Sequence, residues 1–207
     1  DGSEWVLKGE RIPQDPDNYA FGLEIDINAA GDIVAISGVQ LELDDMLRGF
    51  VKIYKYVDDE WIQMGSTIRG SADFDLFGTR ISLNASGFIL AASVIGSDEF
   101  GSEMGAVEVF EFIGDDWVQI GGGIPGAPGV GDFATGIDLN GAGNRLIATS
   151  HIAFMGVTTG HTLVYDGSGW IQTQTPISQF VVTANGSSAY RFGGAGFPAG
   201  TSGDNPD

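Results

Sequence analysis

The sequence predicts an all-β fold: three four-stranded repeat units forming the blades of a partial or open β-propeller, followed by a C-terminal β-hairpin tail. Three observations carry this prediction. A tryptophan-led pentapeptide recurs, as Trp5-Val6-Leu7-Lys8-Gly9, Trp61-Ile62-Gln63-Met64-Gly65 and Trp117-Val118-Gln119-Ile120-Gly121, at a step of 56 residues, and Trp170-Ile171-Gln172 follows 53 later. The turn residues Asn28, Asn84 and Asn140 keep the same step of 56, as do Gly31, Gly87 and Gly143. Apolar residues alternate with period two between these landmarks, and a helical period appears nowhere. A fixed period of this size marks a repeat array, in which each unit buries its apolar face only against a neighbour. Four short strands per unit, with a Gly-marked opening strand, are the pattern of propeller blades.

The second unit shows each element most clearly. Phe77 to Leu83 is an alternating strand with Phe77, Ile81 and Leu83 on one face. Asn84-Ala85-Ser86-Gly87 turns the chain, because Asn and Gly accept the positive φ of a tight hairpin. Phe88 to Ser93 is almost wholly apolar and small, as a strand covered on both faces must be. A variable loop, Val94 to Met104, leads to the alternating strand Val107 to Phe112. Asp115-Asp116 turns it into the fourth strand, Trp117 to Gly121, and a Gly/Pro-rich link runs to Gly131. The first unit matches with Phe21 to Ile27, Ile33 to Ser37, Val51 to Tyr56, a turn at Asp58-Asp59, and Trp61. The third matches with Phe133 to Leu139, Leu146 to Ser150, Thr162 to Tyr165, a turn at Asp166-Gly167, and Trp170. Trp5 stands ahead of the first whole unit as a lone fourth strand. Cut from tryptophan to tryptophan, the repeats span about 5–60, 61–116 and 117–170 within a region 1–174. Residues 175–207 form a linker and the beginning of a second β module, with Asn185-Gly186-Ser187-Ser188 as its hairpin turn.

Composition bounds the function. The formal net charge is −19, from 28 acids and 9 bases. Such a surface repels phosphate backbones and anionic lipid, so nucleic-acid and membrane-surface roles are disfavoured. It suits a protein kept soluble at high ionic strength, where self-repulsion is screened. No apolar run approaches the ~18 residues of a membrane span. There is no cysteine, which excludes a disulfide framework and a thiolate zinc site. The sequence begins at Asp1 without methionine or a signal peptide, as a processed or partial chain does. Three blades are fewer than the ~4 of the smallest usual ring, so open sheet edges need covering by a further copy, another chain or sequence not included here.

The repeat resembles a family of propeller-type repeats of marine bacterial, algal and phage surface proteins. The matching parts are Phe-Gly, Ile-x-Leu-Asn-x-x-Gly, Gly-x-Val-x-Val-Phe and Trp-x-Gln-x-Gly, and they extend from Trp5 to about Gln174. They are more loosely similar to the FG-GAP repeats of integrin-like propellers. The third unit departs twice: Ala134 replaces the Gly of Phe-Gly, and Gln174 the Gly of the tryptophan motif. The tail, Ser188 to Asp207, looks like the opening of a cupredoxin-like module of virion and surface proteins; any copper ligands of such a module would lie beyond this sequence.

FG-GAP likeness implies Ca²⁺ in Asp-rich loops, and Asp15 with Asp17 and Asp73 with Asp75 alternate as such ligands do. Neither pair has the bend glycine or third carboxylate that a hard cation asks for, and Asp132 stands alone. No cofactor is otherwise expected. The acidic turns Asp58-Asp59-Glu60, Asp115-Asp116 and Asp166-Gly167 fit hairpin geometry better than acid–base work, since no base or pocket marker accompanies them. His151 and His161 flank one loop and could face each other across a hairpin, but without a carboxylate they make a poor metal site. Asn84-Ala85-Ser86 and Asn185-Gly186-Ser187 fit the glycosylation sequon, the first being also the recurring turn. Trp5, Trp61, Trp117 and Trp170 read as buried structural anchors. Apolar residues in the variable loops read as partner contacts: Leu41, Leu43, Met46 and Leu47; Phe100 and Met104; Phe154 and Met155. Together these predict a non-enzymatic structural or assembly module of an extracellular or virion surface. Its partners would be other protein chains, in a homo-oligomer or larger assembly. A glycan- or ligand-binding adhesin is the alternative.

Overall fold

A computed structural model of the chain describes residues 4–12, 20–39, 47–96, 105–126, 132–152, 157–173 and 177–178. They form an all-β, propeller-like arrangement of three antiparallel sheets. The first sheet comprises β1 (Ala20–Ile27), β2 (Ile33–Val39), β3 (Phe50–Val57), β4 (Glu60–Gln63) and β5 (Ile68–Arg69). The second comprises β6 (Phe77–Leu83), β7 (Ile89–Val94), β8 (Ala106–Ile113), β9 (Asp116–Gln119) and β10 (Ile124–Pro125). The third comprises β11 (Asp132–Leu139), β12 (Arg145–Ile152), β13 (Val157–Tyr165), β14 (Trp170–Gln172) and β15 (Ile177–Ser178). The sheets place each tryptophan strand at the end of a unit rather than at its start. Residues 4–12, where a lone fourth strand was expected, contain no strand. The expected tail hairpin, residues 179–207, lies outside the described residues.

In each sheet the third strand pairs with two short strands on its far side. β8 holds β9 through Phe110↔Gln119 to Ile113↔Asp116, and β10 through Ile124↔Val107. The Gly-rich link therefore contributes a strand in each unit, which alternation over two residues cannot reveal. The second strand of each sheet is central. All of β2 is buried, as its unbroken apolar run requires.

The first strand of each sheet carries a bulge where Phe-Gly stands. The register shifts between Phe21 and Ile25, between Phe77 and Ile81, and between Phe133 and Gly136. Across each shift the first strand carries two residues more than its partner, and the residue after Phe takes a positive φ, for which Gly is the low-cost choice. Gly22 and Gly78 have φ of 92° and 77°, and Ala134 holds φ 62° without that freedom.

Two cores lie between the sheets. Ile33, Ala35, Val51 and Ile53 of the first meet Phe77, Ile81, Leu90 and Phe110 of the second. Ala91, Val107 and Val109 of the second meet Phe133, Leu139, Leu146 and Ala148 of the third. Each unit thus has a front face, toward the lower-numbered neighbour, and a rear face toward the next.

The bulge position makes a stability prediction. A β-carbon on Gly78 would come within 2.9 Å of Val51 Cγ2 and 3.2 Å of Ser37 Cβ. Gly78→Ala should therefore cost about 1–2 kcal/mol of left-handed backbone and ~1–3 kcal/mol of overpacking. Ala134→Gly should change stability by less than about 1 kcal/mol, because backbone relief is offset by loss of a buried methyl worth ~0.8 kcal/mol. Urea midpoints at constant m-value measure both.

Candidate functional site

The recurring indoles join units rather than fill one. Trp117 is 9% exposed, packs edge-on against Phe112 at 5.4 Å, and donates Nε1–H to the carbonyl of Met64 in the preceding unit at 2.8 Å. Trp61 is half-buried, pairs with Tyr56 at 5.1 Å, and donates to the carbonyl of Lys8 at 3.0 Å. Both acceptors sit three residues after the preceding tryptophan. The glycine that follows clears the way: a β-carbon on Gly65 would lie 2.9 Å from Trp117 Cδ1, and one on Gly121 2.7 Å from Trp170 Cδ1. Trp170 packs on Tyr165 at 5.3 Å, but its buried Nε1 finds no acceptor. Trp5 departs from the expected anchor set: it is 104% exposed. An indole here is buried by the preceding unit's glycine turn, and among the described residues none stands before Trp5.

Nearer the inner strands, side chains reach across the same interfaces. Leu83 N–H donates to Asp26 Oδ2 at 2.6 Å, and Leu139 N–H donates to Ser82 Oγ at 3.0 Å. The turns join directly, Ala29 N–H to Ala85 O and Ala85 N–H to Gly141 O, both at 3.1 Å. Asn28, Asn84 and Asn140 each turn Oδ1 onto the backbone of their own hairpin. Asn84 is buried and its Oδ1 accepts from the amides of Gly87, Phe88 and Ile89, so this sequon asparagine is a turn residue. Asn185 lies outside the described residues.

The carboxylates serve backbone geometry. Asp58 and Asp59 hold φ of 50° and 68° at the hairpin, and Asp59 accepts from Tyr56 Oη. The second acidic turn is Gly114-Asp115, and Asp116 opens β9. Amide donation from Ser66 and Trp117 holds the Asp116 carboxyl below its ordinary range, and donation from Ser168 and Gly169 does so for Asp166. Of the calcium candidates, Asp73 pairs with Arg48 at 2.9 Å, and Asp75 is buried, accepting from Ala72 N–H and Ser71 Oγ. Asp15 and Asp17 lie outside the described residues. Among the described residues no group of three potential metal-ligating side chains comes together.

His151 and His161 do not face each other across the hairpin. His161 pairs with Ala148 and His151 with Thr158, three positions apart along the ladder, roughly 10 Å at ~3.4 Å per residue. Instead His161 is buried edge-on to Phe133, with Nε2 at 3.0 Å from the buried Ser150 Oγ. A serine hydroxyl beside an imidazole is the start of a nucleophile–base pair, yet Ser150 is fully buried between two sheets. Here the pair satisfies two interior polar groups.

Of the loop residues expected as partner contacts, Leu47 alone is among the described residues. Leu47 is half-buried, and its carbonyl accepts from Leu76 N–H of the next unit. Leu41, Leu43, Met46, Phe100, Met104, Phe154 and Met155 lie outside the described residues. The middle residue of each tryptophan strand is exposed in all three sheets, as Ile62, Val118 and Ile171. Val57 and Ile113, at the hairpin ends beside them, are exposed too. Between the first and second units, Val57, Ile62, Met64, Phe88 and Phe112 line a groove of about 250 Å³, with Lys55 at its edge. This rim was legible as the period-56 apolar residue next to each Trp, had that position been read as a face of its own.

No family model matches the chain, and no curated protein matches it. Among solved structures it is similar to a hypothetical selenium-binding protein from Sulfolobus tokodaii, at 14% identity and a TM-score of 0.57, over 79% of this chain and 42% of that one. It is also similar to a Bacteroides uniformis protein described as a "putative 6-phosphogluconolactonase", at 12% identity and a TM-score of 0.48, over 72% and 38% of the two chains. This chain thus spans less than half the length of either, and the first likeness extends to the fold alone.

Two predictions follow from this geometry. Trp117→Ala should cost about 3–5 kcal/mol, as large aromatic truncations in a core do, whereas Trp5→Ala should stay within about 0.5 kcal/mol. Burial pushes the His161 imidazole below its ordinary 6.5, with Gln172 pulling partly back. The unfolded chain therefore takes up a proton first, so this contribution is intact above pH 6.5 and is lost as pH falls below it. Melting temperatures between pH 7.5 and 5 should fall for the native protein and fall less for His161→Gln. The Asp116 and Asp166 contributions are lost only at lower pH, below the carboxylate value of 3.8.

Proposed function

We propose that this protein is a non-enzymatic structural or assembly module of an extracellular or virion surface structure, of the phage tail, fibre or capsid-decoration kind. One observation carries the reading: the aliphatic rim of Ile62, Val118 and Ile171 recurs once per unit on the outer strands. Evenly spaced exposed aliphatics on a rigid array form a contact surface for other protein chains. The charge of −19 keeps the remaining surface solvated and apart from like molecules. The resemblance of the repeat to marine surface-protein propellers points to the same setting, with partners in a homo-oligomer or larger assembly and no cofactor required. A glycan-binding adhesin is the second reading, favoured by the groove beside Phe88, whose aromatic face would take a sugar ring.

The triple variant Ile62→Lys, Val118→Lys, Ile171→Lys tests the rim. Light scattering should show the native protein assembling and the variant at least tenfold weaker, with an unchanged melting temperature. A native protein that stays monomeric, or a variant that assembles equally well, removes the proposal. Glycan-array binding that Phe88→Ala abolishes would favour the adhesin, as would a melting temperature raised by Ca²⁺.

A further inference from the structure

The two end faces of the array differ in chemistry, and the repeat shows what each was built to meet. Rear faces pack on front faces twice in this molecule. In the first unit the rear face presents Ile33, Ile53 and Met64, all buried against the second. In the second unit the corresponding residues are Ile89, Val109 and Ile120, packed against the third. Strand register fixes the equivalent residues of the third unit as Arg145, Thr162 and Thr173. Thr162 and Thr173 bond each other, Oγ1 to Oγ1 at 3.2 Å, and Arg145 is exposed. The sequence also has Gln174 where Gly65 and Gly121 cradle the next indole. Ile147, opposite Thr162, stands where Ala35 and Ala91 do, so the aliphatic positions of the other rear faces have become polar around one remaining apolar residue, as at the outer face of an end unit.

The front face of the first unit is the opposite. Ile25 is 63% exposed where Ile81 is 6%, and Ile27 is 55% exposed where Leu83 is 7%. Phe21 is half-buried where Phe77 is fully buried. Residues 5–9 already occupy the place of a preceding outer strand: Lys8 O takes the Trp61 indole as Met64 O takes Trp117, and Tyr56 lies against Gly9. The same segment leaves Trp5, Val6 and Leu7 fully open.

We propose that the front face of the first unit seats one further four-stranded blade of this repeat type, with aliphatic rear-facing residues on its inner strands, for which Trp5–Lys8 supplies the outer strand and Lys8, its ammonium 4.5 Å over the Tyr56 ring, takes the place of Met64. The rear face of the third unit takes no such blade. The interaction surface is therefore one-ended: Phe21, Ile25 and Ile27 are a socket, and Arg145, Thr162 and Thr173 are a stop. A second copy does not offer such a face head to tail: its Arg145 would stand against the Gly31 turn, where Ile33 meets Gly87 and Ile89 meets Gly143, and its Thr162 and Thr173 would replace the aliphatic pairs Ile53–Met64 and Val109–Ile120. The proposal deepens the assembly reading and rests on it only in taking exposed apolar surface as contact surface. The rim variant tests the latter, and the experiment below tests the socket.

A second copy of residues 13–60 joined directly ahead of Trp5 in the full chain supplies three inner strands, with Glu60 of the copy preceding Trp5 as it precedes Trp61. Hydrogen exchange of residues 4–8 and of β1 should slow at least tenfold, while β6 and β11 serve as internal references for the folded array. The same copy carrying Ile33→Arg and Ile53→Thr, which mimics the third unit's rear face, should leave β1 exchange unchanged. Absence of protection by the first copy, or equal protection by both, overturns the proposal. An assembly of the unextended chain in which β1 is already protected makes a second copy the occupant, and overturns it as well.

Discussion

The indole-to-carbonyl bond across neighbouring units is the contact on which the array depends. A repeat unit of four short strands cannot bury its own face, so the units must be held in a fixed mutual orientation. Trp117 achieves this at the outer strands, with one directed bond to the first unit and an aromatic partner in its own, and Trp61 ties the leading segment at Lys8 to the first unit in the same way. A net hydrogen bond contributes about 1 kcal/mol and an aromatic pair ~0.5–1.5 kcal/mol, small beside the apolar burial they orient. The glycines beside Trp117 and Trp170 are steric requirements: a β-carbon on Gly65 or Gly121 would lie under 3 Å from the indole.

A second set of bonds near the inner strands prevents the units from hinging about the indoles. Asp26 and Ser82 each take an amide of the next unit's first strand, and the Asn turns are joined backbone to backbone. Two lines of attachment at different radii fix an angle where one would leave a pivot. The same arrangement engages many of the polar side chains that resemble a site. Asp116, Asp166, Asp75 and Asn84 each accept from backbone amides, and His161 with Ser150 closes an interior pair. Groups engaged in this way hold the turns and interfaces of the scaffold, and the aliphatics on its rim are left exposed.

Much of this was legible in the residues. The period, the Asn turns and the covered second strand each had a direct physical signature. The rest was hidden for identifiable reasons. Ile68-Arg69 and Ile124-Pro125 are too short to show alternation, although their apolar residues pack in the cores. Asp26 and Ser82 are ordinary strand residues until their acceptor atoms are seen beside a neighbour's amide. The two histidines flank one loop in sequence, but the ladder register sets them three positions apart. The four tryptophans are equivalent by spacing and unequal by burial, because an indole in this array is buried by the unit before it.

By itself, the sequence determined the all-β class, the unit length and the strand order, because period-two alternation and turn chemistry are local properties of the chain. It determined also that the third unit would depart from the repeat, since Ala134 and Gln174 replace motif glycines in plain view. Only the tertiary structure decided what those positions mean. Whether Ile25 is core or surface, and whether Trp5 is anchor or open side chain, depends on which face meets a neighbour. That is a property of packing between units, and two identical motifs acquire opposite exposure from it.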